Sequence, residues 1–461
     1  MNRRNTELGL ILLAVLITGC AYILSALGKD SNIPANLVPF LAALVGLLVV
    51  AHVATRYLAR GADSIVLPIV VLLNGIGYVV LVRLNAHRFA GPQATWTFIG
   101  IGAYVATLIV VRRVNDLRLH HWRFFWLGVV LLMLPLVPGI GREVGGARIW
   151  VSVGPLSFQP GEVAKICLAI FFAGYLEERR ELIAAGTWRV GPLNLPEPRY
   201  LLPILAAWGV SVVLMVGMKD LGTALMFFTL FVVMLWVGTE KGSYLAIGAV
   251  LFSGAAFVAW KVIANVQNRV NLWIDPWSRY RDVHGGYQII QAQFGIASGS
   301  LGGLGLGQGT PGKIPAAQND FIFAAIAEEL GLFGATAILM AFVLIVGSGL
   351  RTATKAERPF EKLLAVGLTT VLGIQAFIII GGVLRGLPLT GVTLPFVSYG
   401  GSSLVSNYVL LALLMRIGDS TARRIGELPD DVSWAQRRAA RRWAKGVTRP
   451  NVGDVDATAI A

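Results

Sequence analysis

The chain has 461 residues, 56% of them hydrophobic and only 14% charged, with a mean hydropathy of +0.69 and a formal charge of +14. A soluble globular domain carries about 25% charged residues, so this composition excludes one and describes a polytopic all-α membrane protein. Two cysteines, Cys20 and Cys167, lie far apart inside apolar runs. They read as buried packing residues and exclude a disulfide framework or a cysteine metal site.

Apolar runs of spanning length predict twelve helices, near 7–28, 36–55, 65–84, 94–111, 122–138, 160–177, 201–217, 220–238, 243–264, 320–349, 362–384 and 392–416. In the first run, Ile17-Thr18-Gly19-Cys20 has the look of a lipoprotein cleavage box. Ala21 to Leu24 continue the apolar stretch, however, and predict an ordinary membrane helix. Arg3, Arg4, Arg56, Arg60, Arg112, Arg113, Lys241, Arg351 and Lys355 fall between helices on one side, which the positive-inside rule places in the cytoplasm with both termini. The basic stretch from Arg416 through Arg437, Arg438, Arg441, Arg442 and Lys445 reads as a tail held to anionic lipid, with no nucleic-acid partner.

Two outward connections are informative, 139–159 and 265–319. The second is too long to be a mere connector. It mixes aromatic and polar residues around Trp273 and Trp277, as interface-lying segments do. It ends in the glycine-rich run Gly299-Ser300-Leu301-Gly302-Gly303-Leu304-Gly305-Leu306-Gly307-Gln308-Gly309, which suits either close approach to a ligand or a hinge.

The segment after it, Gln318-Asn319-Asp320-Phe321-Ile322-Phe323, opens an apolar helix that also contains Glu328 and Glu329. Acids at membrane depth cost roughly 2.5 kcal/mol or more each and face a wet cavity, a partner charge or a substrate. Helical rise sets the two glutamates on the order of 12 Å below Asp320. One carboxylate is therefore expected at the interface, while two deeper ones pair inside the bundle. Asp320 reads as a helix cap or as a reactive acid, and the two are compatible.

Glu162 and Lys165, three apart on one helix face, read as a bracing ion pair or a substrate contact. Lys219-Asp220-Leu221-Gly222-Thr223 occupies a tight turn in which Asp220 either caps the next helix or lines the outward cavity. Ser398-Tyr399-Gly400-Gly401-Ser402-Ser403 interrupts the last apolar run, for close packing or to line a cavity. The five histidines are scattered, without zinc-site spacing.

These segments stand in order along the chain, together with Gln159-Pro160-Gly161-Glu162, Asp275-Pro276 and Gly286-Tyr287-Gln288-Ile289-Ile290-Gln291. In that order they resemble the SEDS family, the RodA/FtsW/SpoVE group of bacterial cell-wall synthases. The resemblance covers roughly residues 65–418. It implies a ten-helix core, with two extra helices in 1–64 and a disordered basic tail over 419–461.

It also implies a peptidoglycan glycosyltransferase that polymerises lipid II outside the membrane, releases undecaprenyl pyrophosphate, and works with a class B penicillin-binding protein. The family's essential acid falls on Asp320. The remaining cavity candidates are Glu162, Lys165, Lys219, Asp220, Arg148, Tyr287, Gln288, Gln291, Ser398 and Ser402. Lys165, Arg142, Arg148 or Lys219 would supply charge to the pyrophosphate, aided by magnesium or manganese. Ala316, Asn319 and Gly161 depart from residues common in the family. The short segment before the first helix leans to the RodA branch. A lipid II flippase and a non-catalytic membrane scaffold for the penicillin-binding protein are the rival readings.

Overall fold

The computed structural model describes residues 3–30, 37–144, 147–153, 156–185, 188–190, 193–195, 198–283 and 285–426. Its helices are α1 (Arg3–Asp30), α2 (Leu37–Leu58), α3 (Val66–Val110), α4 (Asn115–Arg118), α5 (His121–Met133), α6 (Gly161–Ala185), α7 (Pro198–Gly217), α8 (Leu221–Thr239), α9 (Ser243–Val262), α10 (Ala264–Ile274), α11 (Gly286–Gly299), α12 (Ile322–Lys355), α13 (Pro359–Val383) and α14 (Gly401–Arg424). A small antiparallel sheet, β1 (Gly141–Val144), β2 (Ala147–Val153) and β3 (Leu156–Phe158), occupies the connection 139–159. A hairpin, β4 (Trp188–Val190) with β5 (Leu193–Leu195), follows α6.

Among the described residues eight segments are long and apolar enough to cross a membrane, and three shorter apolar ones accompany them. The predicted runs 65–84 and 94–111 form one continuous element broken at Asn85, whose backbone leaves helical geometry. The Asn85 side chain then accepts from Arg88 N at 3.0 Å and so caps the second half. The sixth predicted run, α6, falls outside those eight segments because it carries Glu162 and Lys165. It is nevertheless central: Phe171, Phe172 and Lys165 are fully buried, with α8, α13 and α5 packed around it.

Three expectations need correction. Residues 392–400 are not helical, and the last helix starts only at Gly401. The Ser-Tyr-Gly-Gly stretch with its preceding Pro395 therefore forms an unwound segment inside the bundle, tolerable there because its polar backbone is met by protein. The last helix also runs on to Arg424, so the first residues assigned to the tail are folded; the rest of that tail lies outside the described residues. Finally, Cys167 is buried but Cys20 is exposed. It shares an outward stripe of α1 with Leu16 and Leu24, four residues to either side.

The glycine-rich run makes its close approach to protein backbone. It wraps the backbone of α12 where that helix kinks at Gly331 (φ +66°). Leu304 N and Gly305 N donate to the carbonyls of Glu328 and Glu329, both at 3.0 Å. A β-carbon at Gly303 would collide with the Glu329 carbonyl oxygen. The two deep glutamates hold the same run, and the expected charge pairing is found for Glu329, while Glu328 is met by Thr310. Glu328 accepts from Thr310 N at 2.6 Å. Glu329 accepts from Gly307 N at 3.2 Å and from Arg83 Nε at 3.0 Å. Arg83 also donates to the carbonyls of Gly307 and Gly309.

This run meets the first helix as well. Gln308 Nε2 donates to the Gly28 carbonyl at 3.1 Å, and the backbones of Gly28 and Gly307 are in direct contact. At its other end α1 is fixed by Arg4, which donates to the Ala62 carbonyl, and by Glu7, which pairs with Arg4 and with His52.

Candidate active site

Asp320 closes a series of turns two residues ahead of α12. The cap position belongs to Phe321, and no side chain caps the helix. Asp320 is thus not consumed in capping, which removes the structural half of the sequence reading. Its backbone is set by the unwound segment after α13. Tyr399 N donates to Gln318 O at 2.8 Å, and Ser398 Oγ donates to Asn319 O at 2.7 Å while accepting from Leu394 N at 2.9 Å.

Facing Asp320 is a cation missed in the sequence, Arg269 on α10. Its Nη1 donates to Leu389 O at 2.8 Å. A β-carbon placed on Gly391 would stand 3.9 Å from both Arg269 Nη2 and Asp320 Oδ2, so the two charged groups flank a glycine and lie at most twice that distance apart. Gly391 has φ +77°, a region that disfavours other residues. The only sequence signal for Arg269 is its position between Val266, Val270 and Trp273 on an amphipathic segment, where a lone cation needs a partner.

Asp320 and Arg269 are each half-buried, and the electrostatics follow from that partial burial. Burial pushes the Asp320 carboxyl up to about 6, against the pull of Arg269. Burial also lowers the Arg269 guanidinium, offset by the charges of Asp220 and Asp320. Asp220 is raised, again first by burial, with hydrogen bonds from Thr223 opposing it. The Asp220 side chain accepts from Thr223 N at 3.1 Å as the cap of α8, and it also lines a narrow cleft with Gln159, Gly161, Met215 and Met218. The capping reading of Asp220 therefore holds.

Glu162 and Lys165 pair at 2.6 Å, and Lys165 Nζ also donates to Gln375 Oε1 at 2.7 Å. Gln375 Nε2 donates onward to Thr393 O at 2.9 Å, and Thr393 Oγ1 shares a 2.9 Å bond with Ser403 Oγ. A polar chain thus runs from α6 through α13 to the unwound segment that sets Asp320. Lys165 is fully buried, which makes it a brace rather than an open cation.

Of the other candidates, Arg148 is half-buried on β2, and its backbone N–H donates to Met218 O at 3.2 Å, beside the Lys219 turn. Lys219 is exposed in a left-handed conformation. Tyr287 packs its ring at 5.6 Å from Tyr280, with Gln288 and Gln291 half-buried on the same helix. No described contact of Tyr287 or Gln291 reaches Asp320. Ser402 is buried, and its hydroxyl has no partner among the described residues. Asn319 Oδ1 and Thr390 Oγ1 share that condition next to Asp320.

The fold and this site define a multi-pass membrane protein with a half-buried acid–guanidinium pair at one end of its bundle. A family model described as cell cycle protein, FtsW/RodA/SpoVE, matches residues 55–423, and the chain belongs to that family. It is 41% identical over 94% of both chains to the peptidoglycan glycosyltransferase RodA of Mycobacterium bovis. Identity is 34% to the probable peptidoglycan glycosyltransferase FtsW of Alkalilimnicola ehrlichii, over 66% of this chain and 73% of the other. Among solved structures, a chain of a peptidoglycan synthase complex coordinating polymerization and crosslinking superposes with TM-score 0.63 at 28% identity, covering 78% of this chain and 98% of that one. The rod shape determining protein RodA of Thermus thermophilus gives 0.57 at 26% identity, covering 79% and 98%.

Proposed function

We propose that this chain, a peptidoglycan glycosyltransferase, polymerises lipid II with Asp320 as general base. The observation that supports it is a carboxyl free of capping duty, raised toward neutral pH by partial burial and faced by a guanidinium. In the reaction a sugar hydroxyl of one lipid II attacks the anomeric carbon of the growing strand. The hydroxyl proton passes to Asp320, the new glycosidic bond forms, and the bond to undecaprenyl pyrophosphate breaks with the electron pair leaving on oxygen. A base with a pKa near the working pH combines availability with driving force. Arg269 steadies negative charge beside it.

The residues do not fit a resident divalent cation. Asp220 and Asp320 both act on the Arg269 guanidinium, and Asp220 is engaged at a helix end. Magnesium or manganese, where used, would arrive on the pyrophosphate of the substrate. In our reading the Asp320 end faces outward, both termini are cytoplasmic, and a class B penicillin-binding protein is the partner. The greater identity to RodA than to FtsW places the chain on the RodA side.

The test is glycan synthesis from lipid II by the purified protein, with and without the penicillin-binding partner. Polymer in both, or with the partner only, supports the reading, provided the partner alone is silent. Lipid II crossing the bilayer without polymer refutes it in favour of a flippase, and neither activity in a folded complex refutes it in favour of a scaffold. Gly391→Ala provides a finer check. The left-handed backbone makes the variant less stable by about 1–2 kcal/mol. The added methyl between Arg269 and Asp320 lowers turnover, and Gly391→Val lowers it further. Equal turnover by all three proteins would remove the arginine–aspartate juxtaposition from the mechanism.

A further inference from the structure

At the end of the bundle opposite Asp320, a cavity of about 550 Å³ opens where α2 and α3 end, α13 begins and α14 closes. Six arginines line it, Arg112, Arg113, Arg358, Arg416, Arg423 and Arg424, against two carboxylates, Glu361 and Asp419. Four of the six have work within the protein. Arg416 caps helix ends, donating to the carbonyls of Leu58, Leu108 and Val111. Arg423 pairs with Asp419 at 2.9 Å, Arg424 with Glu361 at 3.0 Å, and Arg358 reaches Glu361 at 4.0 Å. Arg112 and Arg113 are exposed and have no ion pair among the described residues.

The apolar part of the wall is equally specific. Tyr57 is 64% exposed and Ile109 49% exposed, on the outer surface of the bundle at the last turns of α2 and α3. An aromatic ring at that depth marks the membrane–water boundary. The cavity thus has guanidiniums inside and lipid-facing side chains at its rim.

We propose that this cavity binds the phosphate of an anionic phospholipid headgroup, held by Arg112 and Arg113, with the acyl chains leaving past Tyr57 and Ile109. Guanidinium forks match phosphate oxygens in pairs, and a free phosphate would satisfy the same donors. The apolar rim favours the lipid. The already paired arginines hold the wall in shape, and the two unpaired ones carry the recognition.

The experiment is native mass spectrometry of the full-length protein exchanged into phosphatidylglycerol or phosphatidylcholine, beside the double variant Arg112→Gln/Arg113→Gln. Wild type retains phosphatidylglycerol preferentially, and the double variant loses about tenfold or more of that preference with an unchanged melting temperature. Lys241→Gln, which removes a charge outside the cavity, leaves it intact. A preference that survives in the double variant overturns the proposal, as does an equal loss in Lys241→Gln. Thermal protection by inorganic phosphate, without any lipid preference, overturns the lipid source and makes the cavity a site for a soluble anion. Should the double variant unfold, Arg113→Lys must retain part of the preference, and its complete loss there counts against the guanidinium assignment.

Discussion

Asp320→Asn abolishes glycan polymerisation, lowering the rate by about 10²- to 10⁴-fold, the range a positioned base contributes. The variant folds at least as well as wild type near neutral pH. The sign follows from the carboxyl's pKa of about 6 in the fold against its ordinary 3.8. The folded state holds its proton longer than the unfolded chain, so stability falls as pH rises from the unfolded value to the folded one. Asparagine removes that cost. Loss of activity with unchanged or higher thermal stability therefore separates chemistry from folding. For the wild type, activity falls as pH drops through about 6, where an ordinary aspartate would remain ionised to near 4. Arg269→Gln withdraws the charge that opposes this rise and moves the acidic limb to higher pH. A limb that stays in place in that variant, or polymer made by Asp320→Asn at the wild-type rate, would remove Asp320 from the base role.

Lys165→Met is the second large effect, and it lies in stability. The substitution leaves the Glu162 carboxylate buried without its partner 2.6 Å away and strips Gln375 of a donor. Breaking one half of a buried pair costs on the order of 3–5 kcal/mol, enough to deplete the folded protein in detergent. The double variant Glu162→Gln/Lys165→Met restores most of the melting temperature, because no unpaired charge remains. It also regains measurable polymerisation, since Lys165 has no exposed surface through which to touch a substrate. A double variant that is stable but wholly inactive would show that the pair meets the substrate after all.

The parts of this molecule that were legible in its sequence are those governed by local pattern. Helix-length apolar runs locate the spans. A lone acid between a glycine-rich stretch and an apolar helix locates Asp320, and three-residue spacing predicts the Glu162–Lys165 pair. What could not be read depends on contacts distant in sequence. Arg269 gains its meaning only when α10 folds back so that Leu389 accepts from it and Gly391 lets it approach Asp320. Arg83 looks like a misplaced charge in an apolar run until Glu329, far along the chain, receives it. The segment 392–400 is apolar enough to pass for helix. It unwinds because the Ser398 hydroxyl and Tyr399 amide bond the backbone that precedes Asp320, and no periodicity reports that.

The first helix, held at both ends, acts as a ruler. Its 28 residues rise about 42 Å at 1.5 Å each, close to a bilayer with its interfacial layers. One end is locked to the Ala62 carbonyl and the other to the loop that encloses the kink in α12. Inserting a single residue would turn one anchor about 100° relative to the other and lengthen the span by 1.5 Å, so both could not be kept. The length of this helix is therefore as much a part of the outer loop's geometry as any residue in that loop. A bilayer thin enough to tilt the helix would transmit that strain to the turns that present Asp320.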